Sequence, residues 1–306
     1  MDQLNCNLNK RDFLGITPLI WAAVSGQEEV AKLLLERQAV SPDKPDKHFR
    51  RTTLSWATVM GHDGIVKVLL ERASTKLDGK GDWWRKTPGL VNMVRGRRYV
   101  NPNRPDECHQ TPVLLAAKEG HEGVLKLLLG RKDVKPNIPD NHGLTPLSWA
   151  AKGGRDGILK SLLGRGDVDP NMRRGNGRTL LSWAAEKGHD GVVKLLLGRE
   201  DVNPDMPDKR GRTPLSWAAA SGHDGVIKIL LGQSPAHPDI PDNGGRTPIS
   251  WAAQNVHDEV VQLLSGRSAV DPYALDHGGR TPLSWAAESG HDRAVKILSG
   301  RSAVSF

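Results

Sequence analysis

Apolar residues along this chain come in short paired clusters, and the pairs recur. In the stretch from Gly211 to Asp242, Leu215, Ala218 and Ala219 fall at helical spacing. After Gly222 a second apolar run follows, Val226-Ile227-Lys228-Ile229-Leu230-Leu231. Thr213 suits a helix N-cap, because its hydroxyl can accept from a first-turn N–H. Pro214 suits the first helical position, where a missing N–H is no loss. Gly222 supplies a left-handed residue to end the first helix, His223-Asp224 opens the second, and Gly232 is expected to stop it. A Pro-rich arm with Pro235 and Pro238 comes next. Pro241-Asp242-Asn243-Gly244-Gly245 then reads as a tight turn into the following Thr-Pro. Helices this short are marginal alone in water, so each pair must shield its apolar flanks against the pairs before and after it.

The period is the clearest signal. The block T-P-L-S-W-A-A starts at Thr145, Thr213 and Thr281, with Ile for Leu in the copy at Thr247; looser copies start at Thr17, Thr52, Thr111 and Thr179. From Thr111 onward the step is 34 residues, and nearer the N-terminus (Thr17, Thr52, Thr87) it is 35. A fixed period of this size predicts stacked supersecondary units, in an elongated, curved, all-α solenoid, rather than the two or so domains that 306 residues would otherwise suggest.

One unit is defective. Thr87 to Thr111 is only 24 residues, and what is absent corresponds to Leu181 through Asp190, one entire first helix. A stack that omits half a unit is expected to bare its neighbours' apolar faces, so low order or a bend is expected over residues 74–105. An error in the gene reading, a real hinge and a local refolding are all open at this point. The organisation read from the sequence is one array over 1–306. It has an N-terminal block of two repeats (11–73), a degenerate half repeat (74–105) and a C-terminal block of six repeats (106–306).

Composition narrows the chemistry. The two cysteines, Cys6 and Cys108, have no regular spacing, so neither a disulfide framework nor a zinc site is indicated. That usage suits a reducing compartment, the cytoplasm first and the nucleus second. No apolar run is long enough to span a bilayer, and Met1-Asp2-Gln3-Leu4-Asn5 lacks the character of a signal peptide. The last helix, Ala294 to Leu298, shows no polar outer face, and Leu8 to Asp12 reads like the tail of an earlier arm, so a larger parent protein is expected.

No catalytic motif stands out, and no cofactor, metal or small-molecule substrate is expected. The pattern Gly175-Asn176-Gly177 lacks the strand–helix context of a phosphate loop. His62, His121, His189, His223, His257 and His291 each begin a second helix one repeat apart, which suits capping of the inter-helix turn and not convergence on one metal. The acids that follow them, such as Asp190 and Asp224, favour a helix N-terminus. Seven of the nine Trp (Trp21, Trp56, Trp149, Trp183, Trp217, Trp251, Trp285) share one repeat position, either as packing between units or as an aromatic binding strip. Trp83 and Trp84 stand off that series, either as an exposed anchor or as filling for the gap. The net charge is +8, and Arg51, Lys86, Arg178, Arg212, Arg246 and Arg280 precede the Thr of their units, a ladder that could track phosphates. Asp residues at the same tips (Asp46, Asp82, Asp106, Asp140, Asp208, Asp242, Asp276) make an ordinary solvated edge the competing reading.

The combination of T-P-L-x-x-A-A, G-H, V-V-K-L-L-L and D-V-N resembles the ankyrin repeat, over nearly the whole chain, in a form similar to arrays common in filamentous fungi. It departs from the family at the Ser after T-P-L (Ser148, Ser182, Ser216), where a His is usual, and the polar network there is expected to be simpler. The resemblance implies helix pairs joined by β-hairpin-like turns and a non-catalytic role in gripping a partner protein, as a regulatory or sensing part of a larger polypeptide. Nucleic acid along the basic tips is the alternative. Positions that differ between copies are free to recognise something, or are simply unconstrained. At the first-helix ends they are Lys118, Glu119, Lys152, Glu186, Lys187, Gln254, Asn255 and Glu288; at the tips they are Asn141, His142, Asn176, Lys209, Arg210, Asn243 and His277. The resemblance assigns both sets to partner contact, and Trp83 and Trp84 join them as candidates.

Overall fold

A computed structural model describes residues 8–37, 39–73, 100–173, 175–233 and 236–300. Among these, sixteen helices form eight pairs and no strand runs through the turns. The first helices are α1 (Pro18–Val24), α3 (Thr53–Val59), α5 (Pro112–Glu119), α7 (Pro146–Lys152), α9 (Leu180–Lys187), α11 (Pro214–Ser221), α13 (Pro248–Gln254) and α15 (Pro282–Glu288). Their partners are α2 (Glu28–Glu36), α4 (Asp63–Ala73), α6 (Glu122–Leu129), α8 (Asp156–Leu163), α10 (Asp190–Leu197), α12 (Asp224–Gln233), α14 (Asp258–Ser265) and α16 (Asp292–Gly300). This is the all-α repeat solenoid. It divides into two compact units, residues 1–149 and 150–306.

The local rules operate as the pattern requires. The Thr213 hydroxyl accepts from the Ser216 N–H at 3.2 Å and also meets the Ser216 hydroxyl at 3.1 Å, a buried pair that recurs at Thr52, Thr145 and Thr179. A cap of this kind stabilises a helix by about 1 kcal/mol. Thr247 is the exception, meeting Ser250 through its hydroxyl without capping the helix. Gly222 ends α11 at φ 76°, whereas Gly232 does not stop α12, which runs on to Gln233. Ala218, Ala219, Val226, Ile227 and Leu230 are fully buried, and first helices pack on first helices (α9 on α11, α11 on α13, α13 on α15).

The His series corrects its expected role. None of His121, His189 and His257 caps its own helix through the side chain. Each Nε2, protonated in the tautomer that bonds, donates instead to a carbonyl at the end of the preceding repeat's first helix. His189 reaches Lys152 O at 3.0 Å, His223 reaches Glu186 O at 2.9 Å, His257 reaches Ala220 O at 3.1 Å and His291 reaches Gln254 O at 3.1 Å. The histidines therefore tie one repeat to the next. Gly188 makes room for the ring: a Cβ there would stand 2.6 Å from His223 Nδ1, at a φ of 71° that already disfavours other residues.

In the first unit the repeat at Thr111 packs directly on the repeat at Thr52. α5 lies on α3 and α6 on α4, His121 Nε2 is 2.9 Å from Val59 O, and Arg51 Nε donates to Asp106 Oδ2 at 3.1 Å. Val100 is buried like Val40 and Val134, and Asn101 N donates to Asp43 Oδ1 at 3.3 Å, so residues 100–105 supply the arm of the second repeat. Val100 and Thr111 resume the register left at α4. Residues 74–99, on which most of the expected half repeat falls, lie outside the described residues.

Candidate functional site

The candidate residues lie at the tips and the first-helix ends, and a carboxylate organises every described tip except the one before Thr179, where the sequence has no Asp at that place. Asp242 Oδ1 accepts from Gly244 N at 2.8 Å and Arg246 N at 3.0 Å, while Oδ2 accepts from Trp251 Nε1 at 3.2 Å. Asp276 does the same for Gly278, Arg280 and Trp285, at 2.8, 2.9 and 3.1 Å. Asp46 holds Trp56 Nε1 at 2.8 Å, Asp140 holds Trp149 Nε1 at 2.9 Å, and Asp12 holds Trp21 Nε1 at 3.3 Å. Asp46, Asp106, Asp140, Asp208, Asp242 and Asp276 are all buried. The reading of these acids as a solvated edge is corrected: each closes its turn from inside, through hydrogen bonds that a buried carboxylate requires. The carboxylate takes over from hairpin strands. Between tips one backbone bond suffices, as from Lys209 N to Asn176 O (2.9 Å), Asn243 N to Arg210 O (2.8 Å) and His277 N to Gly244 O (2.9 Å).

The tryptophans are neither plain core nor a bare strip. Trp183, Trp217 and Trp251 are half-buried, Trp21 is 53% exposed and Trp285 is 8% exposed. From Arg178 to Trp285 the arginines before each Thr lie over these rings. The Arg178 Cζ is 3.9 Å from the Trp183 centroid and 3.7 Å from Trp217; Arg212 is 3.5 Å from Trp217, Arg246 3.5 Å from Trp251, and Arg280 3.6 Å from Trp285. Such contacts stabilise by about 0.5–2 kcal/mol each. Lys118 and Lys152 reach toward Trp149 and Trp183 at 5.0 and 5.5 Å.

The arginines are also held by acids. Arg178 pairs with Glu186 at 2.5 Å, Arg212 lies 3.5 Å from Asp208, Arg246 lies 3.6 Å from Asp242, and Arg280 lies 3.3 Å from Asp276 and 3.7 Å from Glu288. Burial pulls the guanidinium pKa of Arg178 and of Arg212 below the ordinary range, with Glu186 and Asp208 opposing it; arginine stays charged regardless. Glu186 is pushed up by burial, but the bond from Arg178 and the charges of Arg178 and Lys187 outweigh that and hold it low.

The candidate residues separate into two sets. Glu119, Lys187, Asn255 and Glu288 are exposed at first-helix ends, where Lys118, Lys152, Glu186 and Gln254 are half-buried against the indole–guanidinium ladder or, for Gln254, against Arg246 Nη1 at 3.3 Å. Asn141, His142, Asn176, Lys209, Arg210, Asn243 and His277 are exposed at the tips. Asn243 Nδ2 bonds Lys209 O at 3.0 Å, Asn255 Nδ2 bonds Ala220 O at 2.9 Å, and Asn141 bonds His109, so these three also brace neighbouring repeats. Trp83 and Trp84 lie outside the described residues. Sequence reasoning treated the Arg and Trp ladders separately. The signal that joins them is the constant five-residue step, Arg212 to Trp217 and Arg246 to Trp251, which sets one over the other across the capped turn.

Among the described residues no three His, Cys, Asp or Glu side chains gather in a way that could hold a metal ion, and no helix is long and apolar enough to cross a membrane. The family model described as Ankyrin repeats (3 copies) matches residues 2–78, 89–173, 155–242 and 233–304. No curated protein matches the chain.

Proposed function

The chain belongs to the ankyrin-repeat family, and from that premise we propose that it grips a partner protein through its first-helix ends and turn tips, as a regulatory or sensing part of a larger protein. Ankyrin repeats are generally protein–protein interaction modules and typically non-catalytic. The observation that supports these particular surfaces is the split between shared and variable positions. What nearly every copy shares (the Thr cap, Ala-Ala, the tip Asp, the His tie) is buried or bonded into scaffold, and what varies stands exposed at Lys187, Lys209, Arg210, Asn243 and His277. Residues repeated for stability cannot discriminate between partners, so recognition falls to the variable ones.

The nucleic-acid alternative has the arginine ladder against it. A phosphate track needs cations free to displace counterions. Arg178, Arg212, Arg246 and Arg280 each have an acid within 2.5–3.6 Å and an indole beneath them. A cytoplasmic location, with the nucleus second, belongs to this proposal and is read by imaging the tagged chain. The binding surface is tested by amide hydrogen exchange with a captured partner. Protection over residues 186–188 and 209–212 is expected, together with weaker capture by the Lys187→Ala/Lys209→Ala protein. Protection confined to the second helices, or equal capture by both proteins, refutes the assignment.

A further inference from the structure

The indole–guanidinium ladder is not uniform, and it opens at one rung. Trp217 is enclosed on both faces, by Arg178 at 3.7 Å and Arg212 at 3.5 Å. Trp251 has Arg246 at 3.5 Å on one face, but Arg212 stands 5.7 Å from its centroid. A recess of about 290 Å³ lies there; its lining includes Lys209, Arg210, Arg212, Arg246 and Trp251, and also Asp242, whose oxygens are taken by the turn N–H groups and the Trp251 indole. That is room for one or two side chains, at the lower limit for a small-molecule site.

Arg212 is the unusual member of the lining. Its side chain is only 13% exposed. Its Nε is 3.5 Å from Asp208 Oδ2, and both atoms are buried without a hydrogen-bond partner. The neighbouring arginines each donate at least once, Arg178 to Ser182 O at 3.0 Å, Arg246 to Gln254 at 3.3 Å and Arg280 to Asp276 at 3.3 Å, although the Nε of Arg178 is buried without a partner as well. A buried N–H left unbonded is costly, and the rest of the Arg212 fork is within reach of a ligand in the recess. The rim beside it carries two exposed cations, Lys209 and Arg210, and neither charged end has an ion pair or hydrogen bond among the described residues.

We propose that this recess takes an acidic side chain of the partner protein, its carboxylate accepting from the Arg212 guanidinium while acids flanking it in the same segment meet Lys209 and Arg210. The inference rests on the protein-recognition reading and names the partner's chemistry. A carboxylate is flat and matches a guanidinium with two parallel hydrogen bonds, and Trp251 supplies an apolar floor for the methylenes that carry it. A nucleic-acid strand fits less well, because the cations do not repeat. The tip positions of Lys209-Arg210 are Gly175-Asn176 one repeat earlier, and Asn243-Gly244 and His277-Gly278 in the next two. One concentrated patch suits a short acidic segment; a strand requires charge at every step.

The test is selection from a random-peptide display library on the immobilised full chain, followed by binding of the enriched peptides to the wild type, to Arg212→Gln and to Lys209→Glu/Arg210→Glu. The second variant alters only exposed tips, so it reports even where the first is destabilised. Peptides rich in Asp and Glu are expected, weakened about tenfold or more by either variant and weakened by added salt. Enriched peptides without acids, or peptides held equally by both variants, overturn the acidic assignment and leave protein recognition standing. Enrichment of no peptide at all removes the recognition reading with it. Tight binding of a single-stranded oligothymidylate, lost in the same variants, overturns the peptide in favour of nucleic acid.

Discussion

Residues 14–56 and residues 178–285 use one scaffold to present two different faces. In the first stretch Trp21 and Trp56 gather Leu14, Ile16, Val24 and Phe49 around an apolar recess of about 200 Å³. In the second, the equivalent indoles lie against guanidinium groups. Most of the scaffold beneath is shared: a Thr hydroxyl caps the first helix at Thr52 and Thr213, a tip Asp holds the indole N–H at Trp56 and Trp251 but not at Trp217, and a His reaches back to the preceding repeat from His62 and His257. What differs is the residue before the Thr and how closely it meets the ring: Ile16 in the first repeat, Arg51 at 5.1 Å from the Trp56 centroid in the second, and Arg178, Arg212, Arg246 and Arg280 at 3.5–3.9 Å in the later ones. One position per repeat decides what lies on the ring, and it can change without disturbing the bonds that stack the array.

The largest expected effect tests whether the scaffold really is common to both. Asp46→Ala and Asp242→Ala each orphan several turn N–H groups and an indole N–H. With about 1–3 kcal/mol for each buried donor left unmade, and with water recovering part of it at the turn, a loss of about 2–4 kcal/mol is expected for either substitution. Repeat arrays need not unfold in two states, so the loss is read as local amide exchange around each tip as well as from urea unfolding. A difference between the two sites larger than about 1 kcal/mol breaks the idea of a shared scaffold.

The next effect is expected to separate the regions. Trp217→Ala removes a ring enclosed by Arg178 and Arg212, and a cost of about 2–3 kcal/mol is expected. Trp21→Ala removes a ring that is 53% exposed, and about 1 kcal/mol is expected. Equal losses in urea unfolding would mean that the guanidinium stack adds nothing beyond burial.

How much of this was legible in the sequence follows from how far each interaction reaches. The Thr cap spans three residues and the Gly terminus one, so the helix pairs and their period could be read directly. The His tie joins positions 37 apart, between His223 and the Glu186 carbonyl, and no local rule points to a backbone atom in another repeat. The tip acids were misread because counting charge cannot tell a solvated Asp from one whose oxygens are already filled, as Asp242 is by Gly244, Arg246 and Trp251. The short step after Thr87 was visible, but which residues resume the register was not. That depends on Val100 reaching the same buried place as Val40, and on Glu107 N bonding Phe49 O at 2.9 Å.

A smaller effect comes from converting one face into the other. Arg246→Ile places on Trp251 the residue type that the first repeat has at Ile16. It forfeits a cation–π contact and a partly exposed ion pair while gaining apolar contact. A net loss of about 1 kcal/mol or less is expected, together with a weaker dependence of stability on salt. A loss above about 3 kcal/mol would mark the arginine as part of the scaffold, and the position before Thr would no longer be free to vary.

The smallest effect lies in the acid limb of the same exchange at the next repeat. Burial pushes the Asp276 carboxyl up, but the N–H groups of Arg280 and Gly278, the Arg280 charge and the Trp285 indole outweigh it and hold the group below the ordinary carboxylate range. A carboxyl depressed in the folded state contributes stability that is present above the unfolded value, about 3.9, and is lost as pH falls through the folded one. Arg280→Ile removes the charge and leaves the backbone and indole bonds in place. The folded-state value should therefore rise, and acid unfolding followed by circular dichroism should begin at a higher pH than in the wild type. An unchanged midpoint would mean that the turn N–H groups alone set the affinity of the tip for its carboxylate. The arginines of residues 178–285 would then be ornaments of the binding face, as replaceable for the fold as Ile16 is in the first repeat.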